Sequence, residues 1–241
     1  MRWSLQPLSA VAKVVSRAAC STKSPASSRA RSFSTGFFEI RQYDLSPAGL
    51  TPYMAETEKN AALRKELFDT DKSRWMCFMT TEIGPHLTRV HHLYKYTNFD
   101  TRDKIRAAAV ADDRWSGYLK TVKPHITNQS SLIYIEATET LKAAGLGGAM
   151  NFQPQTAASG SRSAVYELRR YQLKLGYPTV PDFLKNYGAG LLDKLRADNS
   201  GASTLVTLLY NEVGPLNTVI ELWRHEARRS APHPFPLHPL H

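Results

Sequence analysis

The chain has 241 residues, 42% apolar and 22% charged, with a net charge of +10. Those shares belong to a globular chain rather than a disordered or membrane one, and two cysteines, Cys20 and Cys77, are too few for a disulfide framework. The charge does not read as a nucleic-acid footprint either. Residues 1–34 hold six of the basic residues and no acid, which leaves +4 for a remainder in which Lys and Arg alternate with Asp and Glu.

In chain order, the first element is an amphipathic helix. Leu8, Val11, Ala12, Val15 and Ala19 recur at helical spacing, with Lys13 and Arg17 on the opposite side. Basic residues, serines and no acids around such a helix are the composition of a mitochondrial transit peptide, and residues 1–36 are assigned to one. Lys13 and Arg17 interrupt the apolar run that a secretory signal would need.

Residues 37–137 read as one β-α-β-β-α-β unit. Phe37 to Leu45 alternates as strand one, and Pro52 through Leu67 follows as a helix capped by Thr51. Trp75 to Ile83 and Arg89 to Tyr96 are strands two and three, joined through Gly84-Pro85. Asp100 caps a second helix, and Leu132 to Glu136 closes as strand four. This order predicts an α+β, ferredoxin-like fold, with both helices on one face of an antiparallel sheet.

Residues 138–163 contain Gly, Pro154 and several amides and read as a linker without a membrane span. After it the pattern restarts. Tyr166-Glu-Leu-Arg-Arg-Tyr-Gln-Leu173 matches Phe38-Glu-Ile-Arg-Gln-Tyr-Asp-Leu45 with four identities in eight, and Glu212-Val-Gly-Pro215 matches Glu82-Ile-Gly-Pro85. The blocks are 43 residues apart in the first half and 45 in the second, so a duplicated unit is expected. The second unit, residues 164–226, supplies strand Val165–Leu173, helix Asp182–Arg196 and strands Thr204–Val213 and Thr218–Arg224. Only 18 residues follow Trp223, and residues 227–241 form a Pro/His-rich tail that prolines keep from helix or central strand, so this unit is expected to be incomplete.

These blocks resemble the NIPSNAP family. The carrying residues are the Glu-Leu/Ile-Arg-x-Tyr strands, Glu-x-Gly, Val90-His-His-Leu-Tyr-Lys-Tyr96, Asn98-Phe-Asp-Thr-Arg102, Arg106 and Trp115. The Lys-Tyr-x-Asn-Phe stretch marks one subgroup. The resemblance spans roughly residues 37–225 and implies a dimeric α+β-barrel type of fold, a mitochondrial, matrix address, and roles in mitochondrial quality control or vesicle-related processes rather than an established reaction.

Alternation puts Glu39, Arg41 and Tyr43 on one strand face, with Phe38 and Ile40 on the other. The apolar pair is expected to face the helices, leaving the polar set on the open side, where a Glu39–Arg41 pair ties two sheets together. Glu167, Arg169 and Tyr171 repeat the arrangement. His92 shares the open face, with Glu221 at its place in the second unit. Cys77, between Met76 and Phe78, reads as a buried apolar residue. No phosphate loop, nucleophile elbow or metal-ligand spacing recurs, so no catalytic residue, metal or cofactor is expected. The reading is a protein-binding chain that self-associates through its open sheet face. Its rival is an α+β-barrel enzyme or small-ligand, haem-like binder with Glu39, Arg41 and His92 lining a cavity.

Overall fold

A computed structural model describes residues 36–151, 165–197 and 203–225. The targeting helix, the end of the linker and the Pro/His tail lie outside these residues. The fold is α+β, with a single seven-stranded antiparallel sheet in the order β2-β3-β1-β4-β6-β7-β5.

The first half gives the expected β-α-β-β-α-β order with shifted boundaries. β1 is Phe37–Leu45, β2 Ser73–Thr80, β3 Arg89–Tyr96 and β4 Ile126–Glu136. β2 stops before Ile83, which is 92% exposed beyond the strand. The first helix is two pieces, α1 (Leu50–Lys59) and α2 (Ala61–Phe68), because Asn60 leaves helical geometry while its amide still reaches Glu56 O at 3.1 Å. The second is also two pieces, α3 (Phe99–Ala111) and α4 (Asp113–Val122). The N-cap of α3 is Asn98 rather than Asp100: Asn98 Oδ1 accepts from Thr101 N at 2.8 Å. Asp112 then caps α4 by accepting from Arg114 N at 2.8 Å.

The segment expected to be a linker begins as ordered structure. α5 (Thr138–Ala143) buries Leu141 beside Leu191, and Ala149 N donates to Glu136 Oε1 at 2.7 Å. Beyond residue 164 come β5 (Val165–Gln172), α6 (Thr179–Ala197), β6 (Ser203–Val213) and β7 (Thr218–His225). β4 joins the halves by pairing with β6, with Ile133 opposite Val213 and Glu136 opposite Leu209.

Three apolar clusters follow. One lies between the first-half strands and α1–α4, with Phe37, Tyr43, Tyr94, Trp115 and Tyr118; another lies between the second-half strands and α5–α6, with Leu141, Leu191, Leu208 and Trp223. The central cluster joins Phe38, Ile40, Leu93 and Tyr134 of the first half to Val206, Leu209, Ile220 and Leu222 of the second. The sheet therefore curls so that the two faces without helices pack on each other, as in an α+β barrel. Each large side chain buried there contributes about 1.5–3 kcal/mol. This overturns one expectation: the face left open for self-association is covered within the chain.

Candidate functional site

The strand alternation holds, but the faces are reversed. Glu39, Arg41 and Tyr43 point to the helices, and Phe38 and Ile40 point to the sheet–sheet interior. The physical reason lies in what each layer can offer a charge. Helices bring long cationic side chains over the strands, whereas two sheets packed face to face about 10 Å apart leave room for interlocking apolar groups.

Glu39 has no exposed surface and is bound by α3 rather than by Arg41. Arg102 donates to both its oxygens at 3.0 Å, Arg106 donates at 2.8 Å, and Ser131 Oγ donates to Oε1. Burial alone raises its pKa; the Arg102 hydrogen bonds and the charges of Arg106 and Arg102 outweigh that and draw it down to about 2. Arg41 makes no ion pair with Glu39; its guanidinium lies 5.5 Å from the Tyr43 ring centre, and its Nε is buried without a hydrogen-bond partner.

His92 sits across from Arg41 on β3 and is fully buried. Its Nε2 meets Tyr53 OH at 3.2 Å, and its ring lies 4.7 Å from Phe78, 5.4 Å from Tyr43 and 6.1 Å from Trp75 between ring centres. Burial, followed by the charges of Arg64 and Arg41, holds its pKa well below the usual histidine range, so it is neutral at physiological pH. Arg64 completes this layer, donating to the hydroxyls of Tyr94 and Tyr118 beside the Trp75 and Trp115 rings. Cys77 is half-buried against the central cluster rather than fully buried, and desolvation pushes its thiol up to about 12.

The second half builds a parallel network on its own helix side. Glu221 lies opposite Arg169, as His92 lies opposite Arg41. It is fully buried and accepts from Tyr171 OH at 3.0 Å, from Trp223 Nε1 at 2.5 Å and from Lys194 of α6 at 3.5 Å. Glu167 takes two bonds from Arg169, at 2.7 and 2.8 Å, and one from His225 at 3.0 Å. The Arg169 bonds lower its pKa.

The predicted residues thus form two separate networks, one under each helical layer. Sequence reading did not assign Arg102, Arg106, Ser131, Arg64 or Lys194 to a site. Arg102 and Arg106 stand four apart, one helical face, and that spacing was the available signal. In the sheet–sheet interior, Ile40, Met79, His91, Leu93, Leu168 and Leu209 are among the residues enclosing a cavity of about 10 Å³, room for one water at most. The His92 ring is flanked by Phe78, Tyr43 and Trp75 and its Nε2 meets Tyr53, so its surroundings do not fit an axial ligand to a haem. Among the described residues, no cluster of three or more His, Cys, Asp or Glu is placed to hold a metal, and no helix is long and apolar enough to cross a membrane.

Comparison with known proteins matches residues 38–139 to the NIPSNAP family model. Protein NipSnap homolog 3A of Homo sapiens is 28% identical over 211 residues, covering 83% of this chain and 74% of that protein. Protein NipSnap homolog 3B of Mus musculus is 28% identical over 209 residues, covering 86% and 74%. Among solved structures, a NIPSNAP family protein of unknown function from Agrobacterium tumefaciens superposes with a TM-score of 0.37 at 24% identity, covering 41% of this chain and 85% of that one. A putative monooxygenase from Lactobacillus acidophilus gives 0.45 at 11% identity, covering 78% and 76%. Residues 38–139 thus match the NIPSNAP family model, and most of the chain is similar to the NipSnap homologs 3A and 3B.

Proposed function

We propose that the chain is a mitochondrial, matrix-directed NIPSNAP protein that acts by binding other proteins, in mitochondrial quality control or vesicle-related processes. The observation that carries the protein-binding reading is the fate of the buried carboxylates. Glu39 and Glu221, the two with no exposure, already have cations and donors from their own helices. Engaged in this way, they act as braces between sheet and helix. The two halves are duplicated units. Supporting this, β1–β3 and β5–β7 pair in matching register, and the β2–β3 and β6–β7 ladders carry a bulge at matching places, Trp75/Cys77 and Leu205/Thr207.

Residues 1–36 fused to a reporter should enter mitochondria, and Lys13→Glu with Arg17→Glu should stop import, because the helix then loses its cationic face. Equal import of both reporters would sink the targeting reading. Cross-linked capture with the processed chain in mitochondria should recover a reproducible protein set; recovery of chaperones and proteases alone would count against protein binding.

A further inference from the structure

Two arginines of the first helical layer carry charge that no carboxylate among the described residues answers. Arg64 is buried and donates to tyrosine hydroxyls, and Arg41 lies against the Tyr43 ring. Glu39, the carboxylate of this layer, is already held by Arg102 and Arg106. A guanidinium keeps its charge at any physiological pH, and a cation drawn out of water without a counter-ion is costly. The rest of the sequence has little to offer. Of the 21 Asp and Glu residues, Asp198 and Glu226 alone lie outside the described residues, and they follow directly on α6 and β7 of the second half.

The second half shows the same scaffold with the counter-ion built in. Glu221 stands opposite Arg169 as His92 stands opposite Arg41. Its carboxylate lies 3.8 Å from Arg169 and 3.5 Å from Lys194, and it accepts from Tyr171, the counterpart of Tyr43. In the first half an imidazole replaces that carboxylate. His92 is fully buried, its Nδ1 has no hydrogen-bond partner, and the charges of Arg64, Arg41 and Arg106 all bear on it. Cations therefore gather around a group that cannot neutralise them.

Arg41 is the member that solvent can reach. Its Nε is buried without a partner, but the residue as a whole is half-buried. Ser131 and Gln129 of β4, opposite Arg41 and Tyr43 on the same face, are exposed. An anion arriving over β4 meets a guanidinium fork that bonds no group among the described residues.

We propose that Arg41 binds the carboxylate of a small organic acid, seated over Ser131 and Gln129, with Arg64 and Arg106 supplying field from behind. One guanidinium fork matches the two oxygens of a carboxylate. Phosphate is a poorer ligand, because Arg102 and Arg106 are committed to Glu39 and the Glu39 charge repels a dianion more strongly. The site lies under the helical layer of the first half and goes beyond the protein-binding reading, which its test leaves untouched.

Acetate is the probe, titrated into the full chain at constant ionic strength against chloride while the arginine Nε–H and the Ser131 and Gln129 amide resonances are followed. The Arg41 resonance should shift saturably, and that of Arg196, exposed beside Asp193, should not. Arg41→Gln should weaken acetate binding, read on the two β4 amides, by about tenfold or more, the worth of a lost charge-assisted hydrogen bond. Arg41→Lys keeps the charge without the fork and should retain part of the affinity. His92→Glu supplies a carboxylate at the place of Glu221 and should abolish binding. An Arg41 resonance that never saturates overturns the proposal, as does an equal shift at all arginines (an adventitious ion only). Phosphate that saturates the site at a lower concentration than acetate, or undiminished binding in Arg41→Gln and Arg41→Lys, overturns it as well.

Discussion

A carboxylate buried as completely as Glu39 would lose several kcal/mol of hydration without partners. Arg102, Arg106 and Ser131 replace that hydration and hold its pKa near 2, against 4.5 for an ordinary glutamate. The folded pKa is the lower one, so the stabilisation is complete above about pH 4.5 and fades as pH falls toward 2. Its size is about 3 kcal/mol. Urea titrations across that window should show the loss, and Glu39→Gln should flatten it. Arg102→Ala should cost roughly 3 kcal/mol, while Arg41→Ala should cost about 1 kcal/mol, the scale of one cation–π contact. Equal costs would mean that Arg41 is the true partner of Glu39. His92 adds a separate, earlier slope. Burial and neighbouring arginines depress its pKa, so its contribution is complete above about pH 6.5 and declines below it as the unfolded chain takes up the proton first. His91, held down to about 4 by burial and then by Arg89, acts in the same direction. In His92→Gln the slope between pH 6.5 and 4 should shrink without vanishing; an unchanged slope would show that His92 is protonated in the folded state.

At the scale of elements, α2 exists in large part to place Arg64. Arg64 is 3% exposed, and its guanidinium lies near the Trp75 and Trp115 rings and donates to two tyrosine hydroxyls. Arg64→Ala should cost about 3 kcal/mol, from the void and from the buried Tyr94 and Tyr118 hydroxyls left without their donor. Arg64→Lys should recover little, because an ammonium cannot reach both hydroxyls while lying near two indoles. Thermal unfolding of the two variants tests both statements. The strands were legible in sequence because period-two alternation is a local signal: β3 falls at its expected residues. The breaks at Asn60 and Asp112 were not, since both residues are compatible with a continuing helix and the interruption is set by packing onto the sheet. The facing of β1 was the largest gap. Phe38 and Ile40 against Glu39 and Arg41 is a correct division, but choosing the buried partner of each set needs Arg102 and Arg106, 61 or more residues away in sequence.

At the scale of the molecule, the two halves depend on each other through the central cluster. Phe38, Ile40, Leu93 and Tyr134 are each at most 4% exposed, and the groups covering them come from β6 and β7 as well as from their own strands. Residues 37–140 contain a complete four-stranded sheet with its helices, braced by Glu39 and Arg64, so this fragment should fold when expressed alone. It would then carry that apolar face uncovered, together with the edge of β4 that β6 otherwise pairs. A face of this kind is buried by association, and here a second fragment offers both a matching face and a matching edge. The fragment should therefore be a dimer in sedimentation at micromolar concentration. Tyr134→Asp with Leu93→Asp should yield a soluble monomer with the same far-ultraviolet spectrum, because both positions lie away from the Glu39 network. Residues 165–241 lack the covering strands and have a core of marginal size, so they should be unfolded or aggregated alone. Mixing them with the first fragment should restore slow amide exchange in β6 and β7 and convert the dimer into a one-to-one complex. If the first fragment is a stable monomer with no tendency to associate, the central cluster is not what joins the halves, and the β4–β6 ladder alone would have to do so.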